Sequence, residues 1–187
     1  MQQSKPVIIG ITGAFGSGKS TAADYFEKKG FVSITLSSFL EEEATRRNLV
    51  PITRKNLQDI GNEWRETYGK GILAQRALEK AESDLSQRYV VDGLRNTGEI
   101  EVFRENANFQ LVAIVSDRKN RFERLQKVKR REEMTWELFE TLDARDLGTE
   151  SSGNGLQVAS CIALADIFIE NNTTEELFKK RLDVLLV

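Results

Sequence analysis

Histidine is absent from the 187 residues, cysteine occurs once and proline twice. Without histidine there is no Ser–His or Cys–His nucleophile pair and no imidazole metal ligand, so chemistry falls to carboxylates, lysine, arginine and backbone amides. The single thiol, Cys161, excludes an intramolecular disulfide and suits a reducing compartment. Beside Ile162 and Leu164 it reads as a small packed apolar side chain. Pro6 and Pro51 leave no Pro-rich linker, and neither internal repeats nor low-complexity segments occur. No apolar run approaches membrane-spanning length and no signal-like apolar core follows the start, so a cytoplasmic location without membrane association is expected. A net charge of −2 argues against a general nucleic-acid binder. What remains, 40% hydrophobic and 30% charged, fits one domain spanning residues 1–187, as monomer or homodimer.

Against these absences stands Gly13-Ala14-Phe15-Gly16-Ser17-Gly18-Lys19-Ser20, which follows the apolar run Val7–Ile11 and precedes a helical pattern through Ala22, Ala23 and Phe26. It matches the P-loop spacing in the strand–loop–helix context that the motif requires. Glycines let successive N–H groups close around phosphates, and the helix N-terminus adds positive potential. Gly13, Gly16, Ser17, Gly18, Lys19, Ser20 and Thr21 are the expected nucleotide-binding residues. Lys19 would reach the β- and γ-phosphates of ATP, and Ser20 would offer its hydroxyl to Mg²⁺.

Further apolar runs at Val32–Leu36, Tyr89–Val91, Leu111–Val115 and Ile167–Ile169 alternate with helical patterns. The expectation is a three-layer α/β/α fold of the P-loop NTPase type on a five-stranded, mostly parallel sheet, with ligands at the carboxyl ends of the strands. Helix starts are expected at Ser38 (with Glu41), Asn96 (with Glu99) and Thr173 (with Glu176). Residues 37–86 form a long helical insertion for the acceptor. Leu57, Ile60, Trp64 and Tyr68 make one apolar stripe, Leu73, Ala77, Leu78, Ala81 and Leu85 another, and Gly69 and Gly71 separate the two helices.

Asp92 ends the third strand, where a carboxylate can orient Mg²⁺ beside a P-loop; the plainer reading of Asp92-Gly93 is a turn. Arg95 lies at the same sheet edge and suits bidentate grip of an acceptor phosphate, with Arg65 as a second candidate. Residues Arg118–Arg131 hold eight Lys/Arg and one Glu around Phe122, Leu125 and Val128. They read either as an amphipathic helix with a solvated basic face or as a short lid over 118–155. In the second reading Arg124, Arg130 and Arg131, with Arg145 from the next helix, close over the triphosphate. Gly148–Gly155 reads as a mobile loop near the site or a surface connection.

With these residues in view, the chain resembles P-loop kinases of the nucleoside monophosphate kinase group over nearly its whole length. Ile9-Gly10-Ile11-Thr12-Gly13 through Ser20-Thr21, and Ala165-Asp166-Ile167-Phe168-Ile169-Glu170-Asn171, are similar to dephospho-CoA kinases. Ser37-Ser38-Phe39-Leu40-Glu41 replaces the paired aspartates of those enzymes. That passage and Asp92-Gly93-Leu94-Arg95 look closer to adenylate kinases and to a mainly archaeal group related to them. The resemblance implies transfer of the γ-phosphoryl of ATP, with Mg²⁺, to a (deoxy)nucleoside monophosphate. Lys19, Asp92, Arg124 and Arg130 would then be catalytic, Ser20 and Asp92 metal-facing, and Arg65, Arg95 and Arg145 substrate-facing. Alternatives are transfer to a sugar hydroxyl, which needs a carboxylate base, a GTPase-like switch, which lacks an Asn-Lys-x-Asp sequence here, and a nucleotide sensor with little turnover.

Overall fold

The computed structural model describes residues 5–82, 88–127, 134–148 and 155–186. Five strands, β1 (Val7–Thr12), β2 (Val32–Thr35), β3 (Arg88–Asp92), β4 (Asn108–Val115) and β5 (Ile167–Glu170), form one sheet in the order β2-β3-β1-β4-β5. Every pairing is parallel. The connections are α1 (Lys19–Lys28), α2 (Leu36–Arg46), α3 (Arg54–Tyr68), α4 (Ile72–Glu82), α5 (Thr97–Asn106), α6 (Arg118–Lys127), α7 (Trp136–Leu147) and α8 (Val158–Ala163). Helix α9 (Glu175–Leu182) and a 3₁₀ turn, Asp183–Leu185, follow β5.

Parallel strands are covered on both faces, which explains their unbroken apolar runs. Alternate side chains of each strand enter different cores. Ile9, Ile11, Val90, Val112 and Ile114 pack with Ala22, Phe26 and Phe178 from α1 and α9. On the other face, Ile8, Tyr89, Val91 and Leu111 pack with Phe39, Ile60, Leu73, Ile100 and Phe103, from α2 to α5. A fully buried Phe26, Phe103 or Phe178 each stabilises this arrangement by about 1.5–3 kcal/mol.

Several boundaries differ from the sequence expectations. The second strand stops at Thr35, and Leu36 is already the first, buried residue of α2. Ser38 therefore does not cap that helix; it sits in the first turn and donates its hydroxyl to the Thr35 carbonyl at 2.8 Å. The last helix is capped by Thr174, not Thr173, with the side chain accepting from Leu177 N. At Asn96 the expected capping box is present, and Thr53 with Asn56 forms another. In the insertion, Ile60, Trp64, Leu73, Ala77 and Ala81 are buried, but Tyr68, the last residue of α3, is 59% exposed. Leu85 and Val128 lie outside the described residues.

Candidate functional site

The loop Gly13–Gly18 leaves β1, the central strand, at its carboxyl end and turns into α1 at Lys19. Gly16 and Gly18 adopt φ of 80° and 102°, the left-handed region that side chains disfavour. At Gly18 a second constraint acts: a β-carbon there would collide with Asn171 Nδ2, which donates to the Ser17 carbonyl at 2.8 Å. Helix α1 has no side-chain cap and no acidic residue in its first turn, so no carboxylate of its own offsets the positive potential at its N-terminus. Lys19 Nζ lies on the Gly13 carbonyl at 2.6 Å and the Ala14 carbonyl at 3.1 Å. Ser17 Oγ is buried with no hydrogen-bond partner, while Ser20 is exposed and Thr21 half-buried at the start of α1.

Strand β3 is the neighbour of β1, so Asp92 arrives opposite Ile11, beside the loop. The carboxylate is 7% exposed. Burial raises its pKa, against lowering influences from Lys19, Arg95, the Ser20 hydroxyl and the Gly93 amide. Its Oδ2 stands 3.4 Å from Ser20 Oγ, longer than a well-formed O–H···O bond, and Oδ1 is buried without a partner. A carboxylate oxygen left unsatisfied next to a hydroxyl suits a hard divalent cation, which prefers oxygen ligands and takes the others from phosphates and water. Among the described residues no cluster of three or more His, Cys, Asp or Glu could hold a metal, so a cation here would depend on the nucleotide's oxygens.

The three arginines expected at the acceptor meet different fates. Arg95 sits just past Asp92, its side chain 29% exposed, and donates Nη1 to Asp146 Oδ1 of α7 at 2.8 Å. Arg65, in contrast, is withdrawn into the protein: its side chain is 3% exposed and its Nη2 meets Glu99 Oε1 at 3.2 Å. Glu99 is fully buried and also accepts from the backbone N–H of Arg95 and Asn96. Arg65 thus acts beneath the site, through the α5 cap, because Trp64 and Ile60 turn that face of α3 inward. Arg145 is exposed on α7.

The basic segment forms helix α6 with Arg118, Lys119 and Lys127 exposed, as the amphipathic reading expects, but two of its arginines turn inward. Arg121, at 6% exposure, forms a bidentate pair with Asp143 of α7, through Nη1 to Oδ1 and Nη2 to Oδ2, the latter at 3.0 Å. Its Nη1 also donates to the Phe15 carbonyl inside the loop at 3.0 Å, and its Nε to the Ser116 carbonyl at 3.2 Å. Arg118 reaches Glu140 and Asp143. Arg124, expected over the phosphates, instead donates to the Asn171 carbonyl at 2.6 Å and to Ser116 Oγ at 3.1 Å; burial lowers its pKa, though a guanidinium stays charged. Arg130, Arg131 and most of Gly148–Gly155 lie outside the described residues.

Sequence reading missed Glu99, Arg121, Asp143, Asp146 and Asn171 as site supports. One signal was present: Phe139, Asp143 and Asp146 recur at helical spacing, which puts both aspartates on the apolar stripe. Cys161 is fully buried, and burial pushes its thiol up to about 12, so it is an inert packing residue.

Residues 9–148 match the AAA domain family AAA_18, a family of P-loop NTPases. A UPF0200 protein from Thermococcus kodakarensis is 33% identical over 186 residues, covering 96% of each chain. Among solved structures, shikimate kinase from Bacteroides thetaiotaomicron superposes with a TM-score of 0.62 at 18% identity, covering 96% of this chain and 98% of that one. A gluconokinase from Sinorhizobium meliloti gives 0.55 at 14% identity, covering 96% and 91%. These two likenesses concern the fold.

Proposed function

The chain belongs to the UPF0200 family within the AAA-domain P-loop NTPases, and from that premise we propose that it transfers the γ-phosphoryl group of ATP to a nucleoside monophosphate. The observation that carries this reading is Asp92: a buried carboxylate with one unpartnered oxygen, beside Ser20 and Lys19 at the end of the strand next to the P-loop. The kinase titles of the structural neighbours support phosphoryl transfer and leave the acceptor open.

In this reading the loop amides and the start of α1 hold the triphosphate, and Lys19 leaves the Gly13 and Ala14 carbonyls for the phosphates. Ser20 and Asp92 would hold Mg²⁺, which offsets charge on the β- and γ-oxygens. Arg95 orients the acceptor phosphate. An anionic acceptor oxygen attacks the γ-phosphorus, the bond to the β–γ bridging oxygen breaks, and ADP departs. No proton must move, so a chain without histidine suffices; positioning and charge stabilisation supply the rate. The partners are small molecules, with no nucleic acid or membrane.

A second reading has its own observation. Arg65 is neutralised by Glu99, and Arg95 shares charge with Asp146, which leaves little positive charge for a dianionic acceptor. A hydroxyl acceptor would fit that poverty of charge, with Asp92 taking the proton. ADP release from ATP and Mg²⁺ against nucleoside monophosphates, dephospho-CoA and polyhydroxy acids separates the two. Turnover with one monophosphate supports the first reading, turnover only with hydroxyl acceptors moves to the second, and nucleotide binding without transfer to any acceptor overturns both.

A further inference from the structure

Helix α7 buries three residues, Phe139, Asp143 and Asp146. Two of the three are carboxylates, at 2% and 1% exposure. Buried charge is costly unless each group is paired and hydrogen-bonded. Here each aspartate meets an arginine from a different side of the mouth. Asp143 holds Arg121, whose guanidinium also grips the Phe15 carbonyl within the P-loop. Asp146 holds Arg95, at the end of the neighbouring strand. The two carboxylates are one helical turn apart, about 4.5 Å along the axis.

The packing on the nucleotide side has no slack. A β-carbon at Gly16 would lie 2.9 Å from the Arg121 carbonyl and 3.0 Å from the Leu125 side chain, so α6 rests directly on the loop. A loop that adjusts to phosphates must carry Arg121 with it. On the acceptor side, the segment that follows α7 is tied to the same stretch as Arg95: Gln157 N donates to the Arg95 carbonyl at 2.7 Å, and Asn96 Nδ2 to the Gly155 carbonyl at 3.3 Å.

We propose that α7 couples the two halves of the site: Asp143, through Arg121, and Asp146, through Arg95, are positioning residues that make the orientation of Arg95 depend on nucleotide in the P-loop. The inference rests on Arg95 being the acceptor arginine. A rigid helix held at two points one turn apart transmits a shift of one partner to the other, and neither buried aspartate can part from its arginine without leaving an unpaired carboxylate in the interior.

The test needs no acceptor. The rate at which phenylglyoxal modifies Arg95 in the full-length protein is measured by peptide mass spectrometry, with and without Mg²⁺ and β,γ-imido-ATP. In the unaltered protein the nucleotide changes that rate by about fivefold or more, the lower end of ordinary coupling between sites. Asp143→Asn abolishes the nucleotide effect while the analogue still binds. Asp146→Asn raises the rate in the free protein severalfold, and Asp146→Glu restores it. Should Asp143→Asn fail to fold, Arg121→Gln with Asp143→Asn removes both charges together. Thr141→Ala, exposed on the same helix, changes neither rate. An unaltered nucleotide effect in the Asp143 variants, or none in the parent protein, overturns the coupling. If labelling behaves as stated but Arg95→Ala leaves acceptor KM unchanged, the acceptor assignment falls and the coupling stands.

Discussion

The P-loop side of this site and the Arg65–Arg95 side, the acceptor side of the proposed reaction, are built on opposite principles. The first is local and made of backbone: six consecutive residues, Gly13–Gly18, and the start of α1, with Lys19 resting on carbonyls of its own loop. The second is assembled from side chains far apart in sequence, Arg65 with Glu99 at 34 residues and Arg95 with Asp146 at 51. The nucleotide side keeps its groups available, including the unpartnered Ser17 Oγ and Asp92 Oδ1. The acceptor side neutralises its cations with carboxylates before any ligand arrives. A triphosphate is recognised by repeated N–H groups that carry no net charge to bury, whereas an arginine inside a protein must be given a counter-charge.

This contrast can be broken by substitution. The largest effect is expected at Lys19→Ala, which removes a charge directed at the transferred group: kcat falls about 10²–10³-fold, while thermal unfolding moves little. Steady-state kinetics beside a melting curve checks both halves. A large loss of stability with modest kinetic change would make Lys19 a structural member of its loop.

Arg65→Ala should behave in the reverse way. It strands Glu99, which is fully buried, and costs about 3–5 kcal/mol in chemical unfolding. The isosteric pair Arg65→Met with Glu99→Gln recovers most of that loss. A variant that keeps its stability and raises only acceptor KM would return Arg65 to the ligand and erase the distinction between the two sides.

The smallest effect sharpens the comparison at the rim of the insertion. Arg46 first, and then Arg47, hold the Glu43 carboxyl down to about 2 from its ordinary 4.5. Because the folded value is the lower one, the contribution to stability is present above the unfolded value and disappears as pH falls from about 4.5 to about 2. The melting difference between the parent protein and Glu43→Gln should therefore shrink to nothing across that window, with phosphoryl transfer at neutral pH unchanged. A difference that persists at pH 2 would assign Glu43's role to packing rather than charge.

Legibility followed the same divide. The strand–loop–helix at Gly13–Ser20, the buried parallel strands and the Asn96–Glu99 cap were readable because each depends on residues close in the chain. The start of α2 was misread because Leu36 continues the apolar run of β2, and nothing in that run marks where a strand becomes a helix. Asp143-Ala144-Arg145-Asp146 drew attention to its arginine, the exposed member, whereas the periodicity with Phe139 pointed to the aspartates. Part of the charge in the basic run at Arg118–Lys127 looked like an excess because the partners of Arg118 and Arg121, Glu140 and Asp143, come from the next helix.

The sequence by itself determined a parallel α/β sheet with a phosphate-binding loop at its centre, since hydrophobic period and glycine placement act over a few residues. Only the tertiary structure decided which arginines stay accessible and which are held inside. That choice depends on whether a carboxylate from a distant helix arrives within about 3 Å of a buried guanidinium, and burial sets the energy of the pairing.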